Sequence, residues 1–503
     1  MISRKITLTI LVLIFSLSIY ANSSNQAQES MTIDIQQAIL MAMENNRSLV
    51  VQKMNPEIRS TFEKEQRSIF DPVLDAQVSP RRTVADRLSR AGSSTESQIV
   101  DTINSSVALD KFFSSGTTLS LEGTSNYTDS SLYSDTFVSN RVGVTVTQAL
   151  LQGSGVRTNM ASIRQASIDT IISEYELRGF TEVLLEEVEL NFWDYALAKK
   201  QIEIYTNSLE LAQQQMDEIE ERIKIGTLAE TELAAAQAEV ALRRENLINA
   251  RSELSKQRLS LLRLLNPSNN INWNMEVNLQ YETDFSTIKL DEVENHVEVA
   301  MRMRPDLNEA RLQIRRGELE VVKTKNGLLP RLDAFITFGK SGYADTFNKA
   351  LSNMSERSYD AAFGLVFQYP ISNQSAQARH TRAVLNKTQM LKALDNLTQL
   401  VQVDVRTAYI EVTSDREQIT ATAATRALQE EKLRVENEKF SVGRSTSLLV
   451  AQAQRDLVAS QIAEVQAIVT YLKALVSLYE LEGSLLQRRG IEAPGSQPVT
   501  LDN

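Results

Sequence analysis

One segment occurs twice, and the repeat limits what this chain can fold into. Arg222-Ile-Lys-Ile-Gly226-Thr-Leu-Ala-Glu-Thr-Glu-Leu-Ala-Ala-Ala-Gln-Ala-Glu239 lies without a gap over Lys439-Phe-Ser-Val-Gly443-Arg-Ser-Thr-Ser-Leu-Leu-Val-Ala-Gln-Ala-Gln-Arg-Asp456 at an offset of 217 residues. Gly226 falls on Gly443, Ala236 on Ala453 and Gln237 on Gln454. An offset this long is not the 20–50-residue period of a solenoid; it indicates a duplicated half-protein.

The duplicated piece is a long helical hairpin. Residues 155–225 contain no proline and only Gly155 and Gly179, about 105 Å of helix at 1.5 Å per residue. Residues 374–441 make a second stretch of about 100 Å. Each ends on an apolar residue and a glycine, Ile225-Gly226 or Val442-Gly443. Glycine takes the left-handed conformation cheaply and so stops a helix. The returning helix repeats every seven residues at Leu233, Val240, Leu247, Leu254 and Leu261, and the outgoing one carries Leu209, Ala212, Met216, Ile219 and Ile223 at 3, 4, 3, 4 spacing. That is coiled-coil spacing. In the second copy Glu464 interrupts the corresponding seam of Val450, Leu457, Tyr471 and Leu478.

Ahead of each hairpin the chain predicts helices and then strands. Helices are expected over 31–69, with a break at Pro56, and over 290–329. Phe70-Asp-Pro72-Val-Leu-Asp-Ala then matches Leu328-Leu-Pro330-Arg-Leu-Asp-Ala at an offset of 258, the proline ending the helix and opening an extended segment. Alternating Ser/Thr-rich strands are expected at 73–82, 97–109, 117–127 and 139–149 in the first copy, and at 331–341 and 358–369 in the second. Period-two strands of about ten residues suit a transmembrane barrel or a soluble β-domain.

Composition narrows the function. The formal charge is −11, which argues against nucleic acid as a partner. There is no cysteine, hence no disulfide and no thiolate metal site. His296 and His380 read as isolated surface residues, Trp193 and Trp273 as packing residues, and the run Glu182 to Glu189 as a solvated or lumen-facing helix surface. Residues 1–21 have the pattern of a cleaved secretory signal, with Arg4 and Lys5 before an apolar run too short to span a bilayer. No later stretch reaches 18 apolar residues, so no transmembrane helix is expected. Residues 490–503 read as a disordered tail. With no triad, phosphate-loop or metal-ligand spacing, an enzyme has nothing to rest on, and no cofactor is expected.

In this order, the parts resemble the TolC-type outer-membrane efflux proteins: the signal, the doubled unit of helix, strands and long hairpin, the proline-led strands and the glycine tips. Val146-Thr-Gln148 and Phe367-Gln-Tyr-Pro370 are similar to that family's strand-to-helix junction, with Ala149 where proline is usual. The resemblance implies a mainly α fold with β: two repeats, 31–285 and 286–485, whose hairpins span 155–265 and 374–482. Three chains would build one β-barrel and one periplasmic α-barrel. It implies a homotrimeric conduit in the outer-membrane lipid, partnered by a periplasmic adaptor protein and an inner-membrane pump of an efflux or type I secretion system. The alternative is a periplasmic adaptor with coiled-coil hairpins. The expected adaptor-docking tips are Ile225, Gly226, Thr227 and Leu228 with Val442, Gly443, Arg444 and Ser445. The expected periplasmic mouth is Glu230, Glu232, Leu449 and Gln452, the two glutamates supplying negative charge. The resemblance also implies two strands per half; the surplus hairpin near Phe112–Gly116 would either widen the barrel or fold back outside it, and an appended hairpin is the expectation.

Overall fold

A computed structural model describes residues 30–88, 92, 95–131, 135–267, 272–281, 289–355 and 357–500; the predicted signal segment lies outside them. Along the chain the elements are β1 (Ser30–Ile33), α1 (Ile35–Asn45), α2 (Arg47–Arg67), β2 (Val73–Leu88), β3 (Thr95–Phe112), β4 (Thr117–Ser130), β5 (Phe137–Ala149), α3 (Ala161–Lys224), α4 (Thr231–Leu265), β6 (Glu276–Leu279), α5 (Val293–Met303), α6 (Pro305–Asn326), β7 (Arg331–Ala344), α7 (Phe347–Asn353), β8 (Tyr359–Gln368), α8 (Gln374–Ser441) and α9 (Ser447–Leu481). They fall into two compact units, one of residues 30–50, 181–296 and 404–491, the other of 51–180, 297–403 and 492–500.

The first unit holds both hairpin ends. Its core is the heptad seam: Ala212, Ile219, Val240, Leu247, Ala250, Leu261 and Leu264 are buried, as are Val450, Tyr471 and Leu478 of the second copy. The interruption at Glu464 meets Arg426, whose Nε lies 2.7 Å from the carboxylate. By length and composition α9 is apolar enough to cross a membrane, against the expectation of no such segment. Its apolar residues have a nearer use, because Ala453, Leu472, Leu475 and Val476 are buried inside this unit. In the same unit β1 pairs in parallel with β6, so the stretch predicted as helix from residue 31 starts as a strand. Asp34 and Gln37 then form a reciprocal capping box that opens α1.

The helix break predicted at Pro56 falls instead at Asn46. Its Oδ1 accepts from the Ser48 and Leu49 amides at 3.0 and 3.1 Å, and its Nδ2 donates to the Leu264 carbonyl. This buried cap fixes the boundary, while α2 carries Pro56 in its interior.

The second unit is built on one six-stranded antiparallel sheet in the order β2-β3-β4-β5-β7-β8. The surplus hairpin is therefore no appendage. It pairs with β2 over sixteen residues and is continuous with β5 on its other side. Pro72 and Pro330 stand one residue before β2 and β7. Helix α7 follows β7 and lies so close to the sheet that a Cβ at Gly342 would sit 2.0 Å from the Ala350 carbonyl. In its place, Asn140 Nδ2 donates to the Phe347 carbonyl at 3.0 Å.

Residues 490–500 have no regular structure but are held in place. Arg178 donates to the Gly495 carbonyl at 3.0 Å, the Val499 amide donates to Asn308 at 2.8 Å, and Tyr175 donates to the Gln497 carbonyl. Val499 packs on Ile172, Tyr175 and Leu312. A composition of Pro and Gly suggested disorder; partners from α3 and α6 supply the order.

Candidate functional site

The two hairpin ends share a backbone design. Gly226 has φ 78° and Gly443 φ 76°. The next amide reaches back to the last full turn in each: Thr227 to the Arg222 carbonyl at 2.9 Å, Arg444 to the Lys439 carbonyl at 2.8 Å. The glycine amides bond the carbonyls of Ile223 and Phe440 at 3.0 and 3.1 Å. Both are Schellman stops, which satisfy carbonyls that a helix end leaves unpaired. The preceding apolar residues project into solvent, Ile225 at 74% and Val442 at 68% exposure. Thr227 and Arg444 are exposed as well, and Leu228 and Ser445 partly so. The two ends differ in how they restart. Thr446 caps α9 by accepting from the Leu449 amide, whereas α4 begins at Glu230 without a side-chain cap.

The four predicted mouth residues divide. Glu230, Leu449 and Gln452 are exposed. Glu232 is half-buried and accepts a hydrogen bond from Ser447, so it ties the start of α4 to the start of α9. Two turns further along α4, Glu239 and Arg243 form a buried pair at 2.5 Å, with Arg455 4.0 Å from the same carboxylate.

The other candidate surface is the sheet, whose faces have opposite character. One row of register partners runs across all six strands as Leu74, Leu109, Leu121, Val144, Phe338 and Ala361. On that face Val78, Val107, Val142, Ile336, Leu365 and Phe367 are exposed, and Phe363 reaches 89%. The adjacent row, on the opposite face, reads Asp75, Ala108, Glu122, Gly143, Gly339 and Asp360. There Arg141 makes a fork of two bonds to Asp360, 3.0 and 2.7 Å, and lies 3.8 Å from Glu122. Its guanidinium crosses two strands because neither intervening residue has a side chain; a Cβ at Gly143 or Gly339 would come within 2.6 or 2.7 Å of it. Thr145 and Thr337 are hydrogen-bonded on the same face at 3.0 Å. Around these rows period-two alternation puts apolar side chains on one side and hydroxyls and charges on the other, whereas farther along the strands the Arg82–Asp101 pair lies on the Leu74 face.

Several residues read as solvated are structural anchors. Glu189 is fully buried and forks to Arg489 at 2.6 and 2.5 Å. Burial raises its pKa against the lowering pull of that arginine. Glu182 accepts from the Leu486 amide at 3.1 Å, and Glu186 from Ser477 at 2.6 Å. Glu182 and Glu189 therefore grip the segment after α9 and Glu186 grips α9 itself, while Glu187 stays partly exposed beside Arg263. His296, predicted on the surface, is buried and 2.5 Å from Glu482. Burial pushes the Glu482 pKa up, but hydrogen bonds from His296 and Ser484 and the charge of Arg488 outweigh it, leaving it low. His380 is near Thr324 at 3.2 Å. Trp193 is buried edge-on to Phe192, whereas Trp273 is exposed. Among the described residues no group of three or more His, Cys, Asp or Glu is placed to hold a metal ion.

Known proteins share this arrangement. The outer membrane efflux protein family matches residues 115–267 and 297–484. The pyoverdine export outer membrane protein OpmQ of Pseudomonas aeruginosa is 22% identical over 333 residues, covering 64% of this chain and 66% of that one. A membrane protein from Pseudomonas aeruginosa of known crystal structure is similar in fold, with a TM-score of 0.67 at 18% identity over 89% of this chain and 90% of that one. The Campylobacter jejuni CmeC outer membrane channel gives 0.66 at 15%, over 90% and 86%. The alternative of a periplasmic adaptor falls to the family match. The chain belongs to the outer membrane efflux protein family and has the fold of outer-membrane channels.

Proposed function

We propose that three copies of this chain join into one conduit, which passively exports cargo delivered by an inner-membrane pump through a periplasmic adaptor protein. The observation that carries this reading is the two-faced sheet, open at both edges. Among the described residues of the single chain β2 and β8 each have one neighbour. Every unpaired backbone group in lipid costs several kcal/mol, so a sheet whose exposed face is Leu, Val, Ile and Phe needs its edges paired there. Rotational assembly of like copies supplies that pairing.

The exposed tips Ile225, Gly226, Thr227 and Leu228 with Val442, Gly443, Arg444 and Ser445 are the docking points for the adaptor in this reading. An apolar residue held out on a stiff glycine turn can enter a partner's groove with little ordering cost. Glu230 and Glu232 supply negative charge at the mouth, beside Leu449 and Gln452. The test is the double variant Ile225→Asp with Val442→Asp. Outer-membrane yield is expected to persist, while cross-linking to the adaptor and export are lost; retained cross-linking and export would remove the tips from the docking role. For the mouth, Glu230→Gln with Glu232→Gln should lower cation selectivity in planar bilayers, and unchanged selectivity would retire that role.

A further inference from the structure

We propose that the barrel of the assembled channel has eighteen strands, six from each copy, closed where β8 of one copy pairs with β2 of the next. This rests on the threefold assembly above but goes beyond it. The resemblance implies four strands per copy, and a surplus hairpin could simply hang outside a twelve-stranded ring.

Three observations make the hairpin part of the wall. The first is register. The rows from Leu74 to Ala361 and from Asp75 to Asp360 cross all six strands without a step. A hairpin folded outside would interrupt them between β2 and β5. The second is polarity. Within β3 and β4 the alternation matches the rest of the sheet: Val107, Leu109 and Leu121 lie on the apolar side, and Asn104, Ser106 and Thr124 on the polar side. One-residue alternation is favoured where one face meets an apolar environment and the other water, and on an exposed face such as this one lipid can supply the apolar side. The third is anchorage. The turn between β3 and β4 is bolted to the place where β5 gives way to helix. The Ala149 amide bonds the Gly116 carbonyl at 2.9 Å, the Gly155 amide the Ser115 carbonyl at 3.1 Å, and Asn159 Nδ2 the Ser114 carbonyl at 3.0 Å. Gly116, at φ 89°, leaves no room for a side chain, since a Cβ would lie 2.5 Å from the Gly153 carbonyl.

The consequence is width. With strands about 4.8 Å apart and tilted about 40°, twelve strands enclose a ring of roughly 24 Å between backbones and eighteen a ring of roughly 36 Å. The lining of Ser, Thr and Asn, with Arg141 laid flat, suits a bulky, fully hydrated cargo rather than a small apolar one.

The protein should be reconstituted in lipid nanodiscs and imaged by cryo-electron microscopy. A threefold ring of eighteen strands is expected. A threefold ring of twelve, with β3 and β4 outside it, overturns this inference and leaves the trimer standing; particles with no threefold ring overturn the assembly itself. The chain has no cysteine, so a protein carrying Ser79→Cys on β2 and Ala362→Cys on β8 can be treated with a short bis-maleimide. Covalent trimers are expected on a denaturing gel. Monomers alone, from material that is trimeric by native mass spectrometry, would overturn the β2–β8 seam.

Discussion

The two halves of the chain can be laid over each other at the hairpin ends and at the strands, and they have diverged very differently there. At the ends, the same carbonyls and amides pair around Gly226 and Gly443. At the strands, the first copy contributes four and the second two. The offset falls from 258 residues at the proline-led strands to 217 at the hairpin ends, so the first copy is 41 residues longer between them. A helical turn is closed by a few bonds with fixed spacing and cannot absorb an insertion. An antiparallel meander can, provided strands arrive in pairs: two added strands return the chain to the same end of the sheet and keep each face on its own side. A single added strand would deliver the next helix to the opposite end.

The largest effect should come from Gly116→Val, which strikes the turn present in only one copy. A β-branched residue at φ 89°, with a backbone oxygen 2.5 Å from its Cβ, should cost more than about 3 kcal/mol. Outer-membrane yield and heat-resistant oligomer on gels should collapse, whereas Gly123→Ala, at an ordinary φ with 3.9 Å to spare, should be near neutral. Equal losses from both would break the contrast. Next come Gly226→Ala and Gly443→Ala. Nothing lies within 4 Å of either Cβ, so each should lose about 1 kcal/mol from the left-handed conformation alone, read as matched falls in melting temperature. Unequal falls would show that the ends are less alike than their hydrogen bonds. Thr446→Ala should cost a similar or smaller amount, about 0.5–1 kcal/mol, with no equivalent loss available at Ala229, its counterpart.

The smallest effect separates the copies by pH. Glu309 of the second copy stands where the first has Val51. Burial, then the charges of Glu176 and Asp306, raise its pKa to about 7. A carboxyl raised in the folded state lends stability fully below its ordinary value of 4.5, and that stability is lost as pH rises through about 7. Between pH 6 and 8 the wild type should therefore lose stability relative to Glu309→Gln, by less than about 1 kcal/mol because the group is partly solvated. Parallel melting curves across that range would remove the effect.

The hairpins were legible in sequence because their signals are local: glycine stops and heptads within one turn of each other. The strands were legible as strands, but not as members of one sheet, since the alternation in β3 and β4 says which faces exist and not which neighbours they join. The acids from Glu182 to Glu189 and His296 were misread for a related reason. Their partners, Arg489, Leu486 and Glu482, lie 186 to 304 residues away, and a charged residue without its counterion in view looks solvated. Pro56 misled because a proline is a strong local signal, whereas the cap that sets the boundary depends on Asn46 reaching the Leu264 carbonyl. The tail misled because Pro and Gly do not reveal that Tyr175 and Arg178 await them.

Two side-chain-free positions, Gly143 and Gly339, sit next to each other on neighbouring strands beneath the arm of Arg141. A positive group that would otherwise stand upright like a post is laid down like a floorboard. The wall stays level where a guanidinium would otherwise stand proud, and the charge it carries is met within the sheet by Asp360 and Glu122.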